Sequence, residues 1–192
     1  MLNAEYWQSR YEGNETGWDI GYASPPIVTY FETLSDTSLK ILIPGCGNAY
    51  EAAYLFEKGF TNTYLLDWAE APLEQFAEAY PAFPKSQLLK MDYFSLNESF
   101  DLIIEQTFFC AIDPSLRKAY VSKCAEILSQ GGKLSGLLFN TEFEKPGPPF
   151  GGNVEEYKEL FSSHFEILQM NPAENSIQPR AGREVFVEFQ KK

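Results

Sequence analysis

The sequence predicts a three-layer α/β fold whose seven-stranded sheet is mostly parallel, with one strand reversed. Short apolar runs alternate with longer segments whose apolar residues recur at helical spacing, which is typical of βαβ units. About a dozen residues, including Pro172, Pro179 and Gly182, separate the last two runs. Because this connection has no room for a crossover helix, we expect the two runs to form an antiparallel hairpin. A chain of 192 residues suits one domain, 1–192.

Seven short runs rich in aliphatic and aromatic residues are expected to form the strands. In chain order they are residues 40–43, 63–67, 87–91, 101–105, 133–140, 166–170 and 184–189. Segments of helical periodicity lie before, between and after them, at 26–33, 49–58, 71–79, 115–129 and 154–162. The fourth helix has the clearest end signals. Asp113 precedes Pro114 as an expected N-cap, and Gly131-Gly132 follow as an expected stop.

Charge and composition exclude several classes of partner. Twenty-seven acidic and fifteen basic residues give a net charge of −12, which repels phosphate backbones and anionic membranes. We therefore expect no nucleic-acid or membrane partner. The start of the chain, MLNAEYWQSRYEG, lacks a basic stretch followed by an apolar run, so we expect a cytoplasmic protein. We also expect a monomer. Three cysteines without a C-x-x-C pair, and one histidine, predict neither disulfides nor a metal site.

A glycine-containing loop follows the first predicted strand. The strand KILI runs into Pro44-Gly45-Cys46-Gly47-Asn48, and small residues there let a ligand approach the backbone. Tyr50 occupies the position of the third glycine of the dinucleotide fingerprint, which disfavours pyrophosphate binding. Asp67 ends the second strand 22 residues after Gly45, where an acidic residue accepts hydrogen bonds from ribose. The pattern predicts an adenosyl ligand without pyrophosphate, and S-adenosylmethionine is such a ligand. The alternative is that the glycines only form a tight turn and that Asp67 is a solvated aspartate without a ligand.

Longer motifs carry a more specific signal along nearly the whole chain. They are YWQSRYEGNETGWDIGYASPP, LIPGCGNAYEAAYL, MDYF, FDLIIEQTFFCAIDPSLR, PGPPF and PRAGRE. In these motifs the sequence resembles the thiopurine S-methyltransferase family of class I methyltransferases, with its thiol and halide methyltransferase relatives. The resemblance implies a Rossmann-like fold, S-adenosylmethionine as methyl donor, S-adenosylhomocysteine as product and a small-molecule acceptor.

The resemblance also implies residue roles. Residues 1–35 would form a segment that covers the cofactor, and aromatic faces there would attract its sulfonium cation. The implied cofactor-binding residues are Trp7, Trp18, Gly45, Cys46, Gly47, Asp67, Trp68, Asp92, Tyr93 and Gln106. The substrate-side candidates are Asp19, Glu105, Gln106 and Arg180. An alternative for Trp7 and Tyr11, four residues apart, is one apolar helix face packed on the core.

Position 106 limits what the resemblance says about the acceptor. Thiopurine-active members carry arginine there and many thiol and halide enzymes carry an aromatic residue, whereas this chain has Gln106. The resemblance therefore assigns neither the thiopurine substrate nor the thiol or halide substrate to this chain. We expect the neutral amide, beside Phe108-Phe109, to favour a compact thiol or soft anion over a bulky anionic thiopurine.

We therefore predict an S-adenosylmethionine-dependent methyltransferase that acts on a thiol or another soft nucleophile. A sulfonium is already a good leaving group, so the protein mainly aligns and desolvates the reactants. A thiol with a pKa of about 8.5 supplies some thiolate at neutral pH, and Asp19 or Glu105 would assist a less acidic acceptor. The alternatives are a catalytically silent protein that binds the same cofactor and a nicotinamide-dependent oxidoreductase.

Overall fold

A seven-stranded sheet forms the middle layer of the computed structural model, which describes residues 2–192. Its strands are β1 (Ile41–Pro44), β2 (Thr63–Asp67), β3 (Leu88–Lys90), β4 (Phe100–Gln106), β5 (Leu128–Phe139), β6 (Phe165–Pro172) and β7 (Glu184–Lys191). Their order across the sheet is β3-β2-β1-β4-β5-β7-β6. Strands β1 to β5 run parallel to one another, whereas β7 is antiparallel to both β5 and β6. The predicted closing hairpin and single reversed strand are confirmed.

Helices cover both faces of the sheet. They are α1 (Ala4–Glu12), α2 (Pro25–Phe31), α3 (Tyr50–Glu57), α4 (Glu70–Ala79), α5 (Arg117–Ile127) and α6 (Val154–Phe161). Successive strand residues point to opposite faces, so Leu42 joins the buried cluster that contains α5 and α6 residues. Ile41 and Ile43 join the cluster that contains α2, α3 and α4 residues. The three-layer prediction is confirmed.

The boundary between α5 and β5 differs from the prediction. The Asp113 cap is present, since its Oδ1 accepts a hydrogen bond from the Ser115 amide at 2.9 Å. The α-helix, however, ends at Ile127, and β5 continues through Gly131-Gly132. A Cβ at Gly132 would lie 2.9 Å from the Ser129 carbonyl oxygen and 3.1 Å from that of Asp101. The glycine pair therefore lets the strand pass close to its neighbour instead of ending the helix.

Helix α1 was absent from the sequence prediction. None of its residues is fully buried, so it lacks the apolar periodicity that identifies a core helix. Its start is capped by Asn3, whose Oδ1 accepts a hydrogen bond from the Tyr6 amide at 3.0 Å. Within residues 2–192, no helix combines the length and the apolar character needed to cross a membrane.

Candidate active site

The loop after β1 depends on two glycines. Gly45 and Gly47 have φ values of +58° and +51°, in the left-handed region that glycine adopts without strain. A Cβ at Gly45 would lie 2.3 Å from Cδ2 of Phe108, so no larger residue fits without displacing that ring. Between the glycines, the Cys46 amide donates to the Leu66 carbonyl oxygen at 3.1 Å. Burial raises the pKa of the Cys46 thiol well above its ordinary value, so it remains protonated.

Asp67, at the end of β2, holds this loop in place. Its Oδ2 accepts a hydrogen bond from the Gly47 amide at 3.0 Å, and its Oδ1 accepts one from the Ala69 amide at 2.8 Å. Burial raises the pKa of Asp67, while these amides and that of Trp68 oppose the rise. The carboxylate thus joins the glycine loop to the start of α4.

An open cleft lies beside the loop. Two buried acceptor atoms in its lining, Gln106 Oε1 and Asn48 Oδ1, receive no hydrogen bond from any residue in the range 2–192. Asp19 adds a carboxylate to the same lining. Acceptor atoms and negative charge suit a ligand that carries cationic and N–H groups. The lining consists of Trp18, Asp19, Ile20, Tyr22, Ile43, Gly45, Cys46, Gly47, Asn48, Ala49, Tyr50, Glu51, Gln106 and Thr107.

Residues just after the glycine loop fix the Asp19 carboxylate. Its Oδ2 accepts hydrogen bonds from Asn48 Nδ2 and from the Tyr50 hydroxyl, the latter at 3.2 Å, and its Oδ1 accepts the Gly21 amide at 2.7 Å. Asn48 and Tyr50 were not predicted as site residues, although their position beside the glycine loop was a usable signal. Glu51 binds the Ser24 amide at 2.9 Å, and burial raises the pKa of this carboxyl.

The aromatic residues of the amino-terminal segment meet above the glycine loop. The rings of Trp7 and Tyr11 each pack edge-on against Trp18, with centroids 5.5 and 5.8 Å apart. The Tyr11 hydroxyl lies 2.9 Å from the point where a Gly47 Cβ would be. Trp7 and Tyr11 do share one helix face, but it contacts Trp18 and the loop instead of the sheet core.

Helix α1 is also attached to α4. Gln8 Oε1 accepts hydrogen bonds from the amides of Glu70 at 2.8 Å and Ala71 at 3.2 Å. Because Ala69 provides no side-chain cap, Gln8 satisfies two otherwise free amides at the start of α4. The segment therefore has a defined position beside the cleft.

Glu105 is completely buried and does not line the cleft. Its Oε1 accepts the amides of Phe108 at 2.9 Å and Phe109 at 2.8 Å, and its Oε2 accepts the Tyr120 hydroxyl at 2.6 Å. Burial raises the pKa of Glu105 to about 7. This geometry contradicts the expected role in assisting the acceptor. Glu105 instead positions the turn that contains Thr107, a non-glycine residue with φ +62°.

The remaining predicted residues take three different positions. Asp92 Oδ1 accepts the Phe94 amide at 3.0 Å just after β3, the strand beside β2. Trp68 is half-buried next to Asp67. Tyr93 is 2% exposed, and its hydroxyl lies 3.0 Å from Cys124 Sγ within the core. The Tyr93 side chain therefore does not reach an adenine, in contrast to the expectation.

A second, smaller cavity of about 10 Å³, with room for about one water-sized group, lies at the carboxyl ends of β4 and β5. It shares Thr107 with the cleft, and its other lining residues are Phe109, Cys110, Leu137, Leu138, Phe139 and Glu184. Arg180 contacts the edge of this region, because its Nη1 is 3.6 Å from Glu184 Oε1. Its Nη2 donates to the Trp18 carbonyl oxygen at 2.8 Å and so joins the β6–β7 connection to the amino-terminal segment.

Comparisons with known proteins agree with this geometry. The sequence model of the thiopurine S-methyltransferase family matches residues 2–191. Probable thiol methyltransferase 2 of Arabidopsis thaliana is 30% identical over 191 residues, and thiocyanate methyltransferase 1 of Brassica oleracea is 32% identical over 192. Each alignment covers 96% of this chain and 84% of the relative.

A solved structure shows the same fold. The 1,6-didemethyltoxoflavin-N1-methyltransferase of Burkholderia thailandensis, crystallised with its substrate and S-adenosylhomocysteine, superposes with a TM-score of 0.78 at 18% identity. The superposition covers 98% of this chain and 87% of that one. The class I methyltransferase fold is thus confirmed.

The residues present fit S-adenosylmethionine. Both glycines line the cleft, and the orphaned oxygens of Gln106 and Asn48 suit the ammonium of a methionine moiety. The Asp19 carboxylate adds negative charge opposite a sulfonium. The oxidoreductase alternative is therefore wrong: the protein uses S-adenosylmethionine as methyl donor, and the chain belongs to the thiopurine S-methyltransferase family.

Proposed function

We propose that this methyltransferase acts on a compact thiol or another small soft nucleophile. The observation that carries the proposal is the small cavity that meets the cofactor cleft at Thr107, because it has room for only about one water-sized group, such as a sulfur atom. Its walls are mainly aromatic and aliphatic, which suits a small apolar acceptor and excludes water from the reacting atoms. The names of the Arabidopsis and Brassica relatives, a thiol and a thiocyanate methyltransferase, support acceptors of this class.

Bound S-adenosylmethionine supplies an activated methyl group, and the chain's own residues bind and orient it. We propose that Gly45, Cys46 and Gly47 contact it through the backbone and that Asp67 accepts hydrogen bonds from its ribose. Trp68 and Asp92 would frame the adenine, and Gln106 would accept a hydrogen bond from the methionine ammonium. Asp19 would add negative charge near the sulfonium. For Tyr93, only its backbone is available for such a contact.

We propose further that residues 1–192 act as one domain in which residues 1–35 cover the cofactor. Trp7 and Trp18 would lie in that cover, and Arg180 would hold it through the Trp18 carbonyl. Proteolysis with and without S-adenosylhomocysteine tests this. Protection of residues 6–22 by the ligand is expected, and equal cleavage rates would contradict the proposal.

The net charge of −12 supports a protein without nucleic-acid or anionic membrane partners. We propose a cytoplasmic monomer. Sedimentation of the purified protein over a range of concentrations checks the oligomeric state. A mass that rises with concentration would contradict it.

The test of the acceptor class compares hydrosulfide, thiophenol, iodide and a thiopurine by kcat/KM. We expect the compact acceptors to exceed the thiopurine, because the cavity is small and Gln106 carries no positive charge. Gln106→Arg should shift the preference toward anionic acceptors. A wild-type preference for the thiopurine would overturn the proposal. Binding of S-adenosylhomocysteine without turnover of any acceptor would support a silent binding protein instead.

A further inference from the structure

Glu184 is the carboxylate among the residues that line the smaller cavity. It begins β7, and its Cα pairs with that of Phe139 at the end of β5. Because β7 is reversed, its first residue lies at the same edge of the sheet as the carboxyl ends of β4 and β5. Ligands of open α/β folds bind at this edge. The reversed strand therefore brings a carboxylate to the acceptor side of the site.

The surroundings of Glu184 leave its charge only partly compensated. The residue is 4% exposed, and aliphatic and aromatic side chains dominate the cavity wall. The Arg180 guanidinium lies 3.6 Å away, beyond ordinary hydrogen-bond distance. Burial raises the pKa of Glu184, while the Ser176 hydroxyl and Arg180 oppose this rise. Such a carboxylate accepts a proton more readily than an exposed one does.

The other titratable group in the cavity wall is the Cys110 thiol. Burial raises its pKa to about 12, so it stays protonated at neutral pH. Its Sγ lies 3.2 Å from the Thr107 carbonyl oxygen, to which it donates. Glu105, whose charge also acts on Cys110, is occupied by two backbone amides and Tyr120. Glu184 is therefore the group in this wall that is free to receive a proton.

We propose, building on the proposed thiol methylation, that the S–H group of a neutral thiol enters the cavity and that Glu184 is its general base. The S–H proton passes to the Glu184 carboxylate. The sulfur electron pair forms a bond to the methyl carbon, and the pair of the broken carbon–sulfonium bond stays on the departing S-adenosylhomocysteine. The proton leaves Glu184 for solvent after the products dissociate. Since a buried carboxylate repels anions, the same residue favours the neutral thiols of the proposed acceptor class over its anionic members.

The test compares acceptors that carry a proton with acceptors that do not. Glu184→Gln should lower kcat/KM for an alkanethiol by about 10²- to 10⁴-fold, the range of general-base catalysis. Iodide has no proton to lose, so its kcat/KM should be unchanged or higher. Glu184→Asp keeps a carboxylate and should retain part of the thiol activity. Glu188→Gln is the matched control: Glu188 lies on the same strand and pairs with Lys133 at 2.6 Å, and it does not line the cavity.

Equal losses of kcat/KM for the alkanethiol and for iodide would show that Glu184 only maintains the structure of the site. An unchanged kcat/KM for the alkanethiol would exclude Glu184 as the base. Either result overturns this inference while leaving the proposed function intact. Absence of turnover of both acceptors by the wild-type enzyme would overturn the proposed function as well. Calorimetry with S-adenosylhomocysteine confirms that each variant is folded and binds the cofactor product.

Discussion

Replacing Gly45 by alanine tests the fit between the cofactor loop and the turn after β4. The new Cβ would lie 2.3 Å from Phe108 Cδ2, and the backbone φ is +58°. The left-handed conformation costs alanine about 1–2 kcal/mol. Phe108 packs against Tyr93 and Tyr120, with ring centroids 5.3 and 6.0 Å away, so it cannot move without disturbing them. Such overpacking costs about 1–3 kcal/mol.

Gly59→Ala is the matched control. Gly59 also has a positive φ, +90°, and a Cβ there would meet nothing within 4 Å. The control therefore measures backbone strain without the clash. At about 2–4 °C per kcal/mol for a chain of this size, we expect the strain in Gly59→Ala to lower Tm by about 2–8 °C, and the strain and clash in Gly45→Ala to lower it by about 4–20 °C.

The assay is thermal unfolding followed by circular dichroism, with calorimetric titration of S-adenosylhomocysteine. Gly45→Ala should also weaken binding by about tenfold or more, equivalent to about 1.4 kcal/mol, because the displaced ring lies beside the cleft. Gly59→Ala should bind normally, because Gly59 does not line the cleft. Equal Tm shifts for the two variants would refute the close packing of Gly45 against Phe108.

Three further predictions concern stability. The folded protein disfavours ionised Glu105, so its free energy of unfolding should fall as the pH rises from about 4.5 to 7. Glu105→Gln should remove up to about 3 kcal/mol of that fall, which urea unfolding at pH 5 and 8 measures. An unchanged pH dependence in the variant would contradict this. Gln8→Ala should destabilise by about 1 kcal/mol and weaken S-adenosylhomocysteine binding, whereas Gln8→Glu, which keeps the accepting oxygens, should not. Phe161→Ala should lower the free energy of unfolding by about 3–5 kcal/mol, because this ring is fully buried. Leu168→Ala, at an exposed position, should lower it by less than about 0.5 kcal/mol. Similar values for the two variants would argue against the packing of α6.

The buried carboxylates of the site differ in the groups that they contact. Glu51, Asp67, Glu105 and Glu184 all have raised pKa values, and burial is the largest cause in each case. The carboxylates of Asp67 and Glu105 accept hydrogen bonds from backbone amides and so fix the two loops of the site. Glu184 has no such amide partner among the described side-chain hydrogen bonds, which leaves its carboxylate available for the proposed catalytic role.

Local patterns in the sequence were sufficient for the framework. The residues of β2 match the prediction because an apolar run bounded by polar residues needs no information from elsewhere in the chain. The reversed β7 followed from the short, proline-containing connection before it, since chain length alone forbids a crossover helix. The need for glycine at positions 45 and 47, and the family motifs, were equally readable from the sequence.

Only the tertiary structure decided which side chains face the site. Tyr93 and Glu105 carry functional residue types at expected positions, yet contacts with Cys124 and Tyr120 of α5 turn them into the core. Glu184 was assigned no role from the sequence, although it ends the PRAGRE motif and begins a predicted strand, and the pairing of β7 with β5 brings it to the acceptor cavity. Helix α1 is held mainly by contacts with Trp18 and α4. These outcomes depend on contacts between segments far apart in the chain, whereas periodicity and turn chemistry report only the conformation of neighbouring residues.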